Sequence, residues 1–233
     1  MEKATVNIVR DLVSQLTFVE QILACEVLIN NQVQLTVCST HGLVDGSIIL
    51  LGAVEVLVID VIDGDKIIIA GTSCPLETEL TIPAPTYLHG TIKATNEELG
   101  LIKNNRTTFQ IVYLFEVLSE RGNRNPTINL GRRAELIMFF LTTPKGKTEL
   151  TPTKYEEYID PMNTLKEDFI DLIEESSIIG SIEEDEWTTF PHSIAGFHDR
   201  LGHIKDFFNE SYSGVELRIS LPIDKKGCTE CKH

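Results

Sequence analysis

The chain has 233 residues, 42% of them hydrophobic and 24% charged, with a formal net charge of −15 at pH 7. These values are ordinary for a soluble globular protein of one or two domains. With 20 basic against 35 acidic residues, it lacks the basic surplus that neutralises phosphates, so a protein that grips DNA is disfavoured. No apolar run reaches the ~20 residues of a membrane span, and the first residues do not have the pattern of a signal peptide.

The N-terminal part is predicted to be helical. Apolar residues between positions 6 and 23 recur mostly at three- and four-residue intervals, which indicates one amphipathic helix over that stretch. Thr5 or Asn7 could cap its N-terminus.

The next part changes to a β pattern. Period-two runs are separated by the turn signals Asn30-Asn31, Asp45-Gly46 and Asp63-Gly64. The predicted strands cover residues 26–30, 32–38, 47–51, 54–62 and 66–70. Short strands at this spacing indicate a small antiparallel barrel, and the prolines at 75, 83 and 85 predict an extended linker that leaves it.

The rest of the chain is predicted to alternate strand, strand, long helix, strand. The strands are 109–118, which is apolar enough to be buried on both faces, then 134–141 and 215–221. Residues 86–106, 119–133 and 176–205 have loop character, and the tail from 224 is polar.

The helix between the second and third of these strands has an apolar pattern from Tyr155 to Ile173, with Pro161 inside it. Two interpretations are open. Either the helix kinks at Pro161, or a first turn ends at Ile159 and a new helix starts with Asp160 as cap and Pro161 as first position.

Five cysteines are an odd number at unrelated spacings, so reduced thiols in a cytosol are expected rather than a disulfide framework. Cys228 and Cys231, with His233, could supply half of a zinc site, but a structural site needs four ligands and no second Cys-x-x-Cys is present. An exposed reduced tail is the favoured interpretation, and no metal, cofactor or catalytic residue is assigned.

A metal-dependent hydrolase is a further alternative. His192, His198, Asp199 and His203 lie close together in sequence. The five-residue spacing from His198 to His203 does not match the four-residue spacing of metal-binding histidine pairs on a helix, so polar loop residues are the simpler interpretation.

The sequence therefore predicts an α+β fold: a mixed or antiparallel sheet flanked by the N-terminal helix and a long helix, with an inserted small all-β, barrel-like module. The predicted domains are residues 1–24 with 86–223 for the α+β domain, 25–85 for the inserted module, and 224–233 for a flexible tail.

Four segments carry a family resemblance. They are the Phe-x-Ile-x-Tyr-Leu strand at 109–114, the Ala-Glu-Leu-x-x-Phe-Phe-Leu strand at 134–141, the Tyr-Ile-Asp-Pro-Met segment at 158–162 and the Ser-Gly-Val-Glu-Leu strand that begins at Ser213. Together with the N-terminal helix, they resemble the tail terminator and tail-completion proteins of long-tailed phages, typified by the phage lambda tail terminator. They are also similar to neck-region proteins of phages that infect Bacteroidetes.

The resemblance implies a non-enzymatic virion protein of the head–tail neck, assembled in the host cytoplasm. It implies a homo-oligomeric ring, expected to be a hexamer, that caps the tail tube and meets the neck and connector proteins. DNA would pass through an acidic lumen without specific binding. The alternatives are a neighbouring connector or stopper protein, the hydrolase, and a stand-alone binding module. Residues 25–83 contain no Phe, Tyr or Trp, which argues against glycan stacking.

Overall fold

The computed structural model describes most of the chain with several gaps. The described residues are 4–62, 64–90, 95, 110–121, 132–142, 155–176, 179, 187–192, 196–198, 204–206 and 212–223. They form an α+β protein with one curled antiparallel sheet, a second sheet and two main helices, as the sequence predicts.

The first helix and the curled sheet occupy the N-terminal part. Helix α1 is Thr5–Val13. The strands of the curled sheet are β1 (Phe18–Gln21), β2 (Ala24–Leu28), β3 (Gln32–Thr36), β4 (Ile48–Leu51), β5 (Val54–Ile62), β6 (Lys66–Ala70) and β7 (Glu79–Ile82).

The curled sheet nearly closes on itself. Its strand order is β1-β7-β4-β5-β6-β3-β2, so its two edge strands are separated in sequence by only Ile22 and Leu23. The Ile22 N–H donates to the Thr78 carbonyl and the Leu23 N–H to the Thr36 carbonyl, each at 2.8 Å. The sheet is therefore barrel-like, and its interior is filled by side chains such as Val33, Leu35, Ile49, Ile67 and Leu80.

The second sheet and the long helix form the other layer. The strands of the sheet are β8 (Thr86–His89), β9 (Gln110–Arg121), β10 (Arg132–Thr142), β11 (Trp187–His192) and β14 (Ser213–Ile223), in the order β11-β14-β10-β9-β8. A separate pair consists of β12 (Gly196–His198) and β13 (Ile204–Asp206). A π-helical turn, Tyr155–Ile159, leads into helix α2, Asp160–Glu175.

Both faces of this sheet are buried. Helices α1 and α2 cover one face, where Phe140 and Phe169 pack with ring centroids 5.6 Å apart. On β9, Val112 and Leu114 belong to that core, whereas Ile111 and Tyr113 belong to a cluster on the other face. The prediction that this strand is buried on both faces is thereby confirmed for residues 111–114, and residues 116–118 lie outside those whose burial is described.

The prediction of one helix over residues 6–23 is wrong beyond Val13. The chain turns at Ser14 and Gln15, whose N–H groups bond back to Arg10 and Leu12, and residues from Phe18 onward enter β1. Phe18 packs against the cores of both layers, so tertiary burial outweighs the helical spacing.

Other connections predicted to be irregular contain strands. Strand β7 lies where the linker was expected, β8 lies within 86–106, and β11 and β12 lie within 176–205. In β7, Leu80 and Ile82 are buried, so burial alternates over the four residues before Pro83 as it does in a barrel strand.

At Pro161 the structure matches neither interpretation in full. The π-helical turn Tyr155–Ile159 runs directly into α2, which begins at Asp160 and has Pro161 in its first turn. The N-cap is Ile159, so the prediction that Asp160 caps a new helix is wrong.

The prediction of reduced cysteines is wrong for Cys25 and Cys74, which form a disulfide with a Cα–Cα distance of 6.0 Å. The segment after β6 runs back along β2, from Gly71, whose N–H donates to Asn31, to Thr78 beside Ile22. This path brings together two cysteines that are 49 residues apart in sequence. Cys38 is an exposed free thiol.

Candidate functional site

A group of ionisable side chains surrounds His41, in the connection between β3 and β4. His41 and Gly42 both have positive φ, 44° and 74°, a conformation uncommon for histidine. The Ser39 hydroxyl accepts a hydrogen bond from the His41 N–H. The Gln110 amide of β9 donates to the carbonyl of Gly42. The turn is therefore held from both layers of the protein.

The His41 ring contacts a carboxylate at each nitrogen. Nε2 lies 3.0 Å from Glu20 Oε1 on β1, and Nδ1 lies 3.2 Å from Asp168 Oδ2 on α2. The three side chains are 16%, 14% and 19% exposed for His41, Glu20 and Asp168. A carboxylate only accepts hydrogen bonds when ionised, so both contacts are hydrogen bonds only when both ring nitrogens carry a proton.

One face of the same ring is covered by Phe18. The ring centroids are 3.8 Å apart and the planes differ by 2°. An aromatic face attracts a stacked cation. Phe18 thus favours the same protonated form of His41 as the two carboxylates do.

The pKa of His41 is raised above its usual 6.5. Burial by itself lowers this pKa, because it penalises the charged ring. The hydrogen bonds and negative charges of Asp168 and Glu20 act in the opposite direction and outweigh it. The contact of His41 with Asp168 and Glu20 therefore depends on charge as well as on shape.

A cleft of about 570 Å³ opens beside His41, between the barrel and the start of α2. Its barrel wall includes Thr40 and Gly42, and its helix wall includes Tyr158 and Pro161. Carboxylate residues line it on both sides: Asp45, Asp60, Glu157 and Asp160. The cleft is an acidic boundary between the two layers.

The arrangement of Glu20, His41 and Asp168 is that of a structural contact between the barrel and α2. The carboxylates of Glu20 and Asp168 sit at opposite nitrogens of one ring, so they do not converge on a point where an ion could bind. Within the described ranges, no group of three or more His, Cys, Asp or Glu side chains is arranged to hold a metal. His41 could accept a substrate proton only after releasing one of its carboxylates.

The described side chains around His41 include none of the predicted candidates. Cys228, Cys231 and His233 lie outside the described residues. The same is true of Asp199 and His203 from the hydrolase alternative. For His192 and His198 the structure describes the backbone, in β11 and β12, but not the side chains.

Sequence reasoning missed the His41 group. Its partners are 21 and 127 residues away in sequence, so no local spacing reveals them. The usable signal was a histidine directly before a glycine between two strands, which predicts a turn but no partner.

Comparison of the chain with protein-family models, curated proteins and solved structures found no match. Among the described residues, no helix combines the length and apolar character needed to cross a membrane.

Proposed function

We propose that this protein is a structural component of the head–tail neck of a tailed phage. It forms a ring, with six subunits as the expected number, that caps the tail tube and joins it to the head connector. It is a virion protein without enzymatic activity, assembled in the host cytoplasm.

The observation that carries the proposal is the order and packing of the elements in the α+β layer. Helix α1, the long strands β9 and β10, helix α2 and the closing strand β14 build one sheet with two helices on one face. The order of these elements is the feature on which the resemblance to tail terminator proteins rests. The described residues of the segments that carry the resemblance contribute to the hydrophobic core. Leu136, Phe140, Met162 and Leu217 are all buried.

The electrostatics are compatible with the same role. A chain with a net charge of −15 that surrounds a passage would repel DNA phosphates and leave the DNA free to move. The ionisable cluster at His41 joins two layers of one subunit, as a scaffold needs, and both ring nitrogens are engaged.

Sedimentation velocity at micromolar concentration tests the assembly. Ring subunits contact each other head to tail, and the contacts close by rotation. We expect one species with a mass near six times the 26.1 kDa of the chain, and rings with a central hole in negative-stain images. A strictly monomeric mass would contradict the proposal.

Electron microscopy of the protein mixed with isolated tail tubes or head connectors distinguishes a tail terminator from a neighbouring connector or stopper protein. A ring on the end of the tail tube supports a terminator. A ring that binds the head connector and leaves the tube bare would favour the connector or stopper alternative.

A further inference from the structure

We propose that His41 is a pH-sensitive contact that holds the barrel against helix α2, and that loss of its proton loosens the cleft between them. This inference does not depend on the neck function, because it uses only contacts within one subunit.

The contact bridges the two layers. Glu20 and His41 belong to the barrel, whereas Asp168 belongs to α2. Protonated His41 donates to both carboxylates at once. Neutral His41 has one N–H, so one of the two carboxylates must then face a ring nitrogen lone pair. Loss of the proton therefore replaces one attractive contact by a repulsive one.

Within the described ranges, the charged groups that contact His41 are both acidic. They are Glu20 from β1 and Asp168 from α2, while Gln110 from β9 is neutral and bonds to the backbone of the turn. The nearby basic residue of α2, Lys166, is engaged by Glu167 and by Thr189 of β11. The proton on His41 is thus what compensates negative charge at this contact.

The location of the His41–Asp168 contact shows which parts of the protein would separate when it breaks. Thr40 and Gly42, on either side of His41, line the barrel wall of the cleft, and Pro161 and Thr164 line the helix wall. Carboxylates stand on both walls, so like charges face each other across the gap and favour a wider cleft. The His41–Asp168 contact opposes that separation.

The sign of the pH dependence follows from linkage. The pKa of His41 in the closed form is raised above 6.5. Its stabilising effect is fully present below about 6.5 and is lost as the pH rises through the higher, closed-form value. The equilibrium constant for opening should grow by up to about tenfold for each unit by which the closed-form pKa exceeds 6.5.

Two measurements on the full chain test this. The first is an NMR titration of the histidine Cε1–H signals, with His41→Gln to assign the signal of His41. We expect the wild-type His41 to titrate above 6.5, and its midpoint to fall in Glu20→Gln and in Asp168→Asn. A wild-type midpoint at or below 6.5 would overturn the proposal, even if each variant failed to fold.

The second measurement is hydrogen exchange at pH 6 and pH 8.5, corrected for the intrinsic pH dependence of exchange. Peptides covering 39–47 and 157–168 should lose protection at the higher pH, whereas the sheet peptide 132–142 should not. His41→Gln should remove this pH difference. His89→Gln is the matched control, because the hydrogen bond that the structure describes for the His89 ring is with the main-chain carbonyl of Leu114. Equal protection at both pH values in wild type would contradict the inference.

Discussion

Gly42 packs against the main-chain oxygen of Pro161, so closely that a Cβ on Gly42 would lie 2.5 Å from that oxygen. The barrel and helix α2 therefore touch backbone to backbone at this point, with no side chain between them. The contact lies next to His41. The β3–β4 connection therefore contacts α2 in two ways, through the backbone of Gly42 and through the charged side chain of His41.

Gly42→Ala should destabilise the protein more than Gly64→Ala. Both glycines have nearly the same φ, +74° and +73°, but a Cβ at Gly64 meets nothing within 4 Å. Each substitution places alanine in the left-handed region, at a cost of about 1–2 kcal/mol. Gly42→Ala adds a clash worth about 1–3 kcal/mol. Urea unfolding measures the difference, and equal losses in the two variants would show that the close approach is absent.

Removal of the disulfide should cost about 4 kcal/mol of unfolding free energy in the chain-entropy model, since the bridge closes a loop of 49 residues. The variant is Cys25→Ser with Cys74→Ser, measured by urea unfolding without reductant. Cys38→Ser is the control, because Cys38 is an exposed free thiol, and it should change little. If wild type and the double variant unfold at the same urea concentration, the bridge does not form in solution.

The free energy of unfolding should depend on pH through the contacts of His41 with Glu20 and Asp168. Because the pKa of His41 is raised in the folded protein, its contribution is present below about 6.5 and lost as the pH rises through the folded value. The loss should be modest, since the group keeps some contact with water. Thermal unfolding between pH 6 and pH 9 measures it.

Glu20→Gln with Asp168→Asn should flatten that pH profile in the same range. Glu26→Gln changes an exposed carboxylate of β2 and should leave the profile as in wild type. A profile that stays equally steep in the Glu20 and Asp168 double variant would mean that another group controls it.

Phe169→Ala should cost about 3–5 kcal/mol, because it empties a fully buried position that packs on Phe140 between α2 and the sheet. Leu172→Ala, on the same helix but only partly buried, should cost less. Guanidinium unfolding followed by circular dichroism compares them. A smaller loss for Phe169→Ala than for Leu172→Ala would contradict the packing described for this face.

Several elements follow from the sequence because local pattern and tertiary burial agree. Strand β3 alternates polar and apolar residues, and continuous apolar runs cover residues 111–114 in β9 and 136–141 in β10. Both patterns match the burial of these residues. Strand β1 was missed because the apolar residues around Phe18 continue the helical spacing of α1. Packing of Phe18 between two cores decides that it adopts a strand conformation. No rule based on neighbouring residues in the sequence contains that information.

The His41 site could not be predicted for a related reason. It is built from β1, the β3–β4 connection and α2, and only the fold brings these together. The Cys25–Cys74 bridge depends in the same way on the path of the segment after β6. Long-range contacts of this kind leave no periodicity in the sequence.

The most direct test of the neck role is electron microscopy of tail tubes mixed with the purified protein. If the proposal holds, the same genome encodes a tail-tube protein, and the tubes are assembled from that protein. The account predicts a ring of this protein at one end of each tube, with further tube growth blocked at that end. Tubes that stay bare and keep growing at both ends in the presence of excess protein would contradict it.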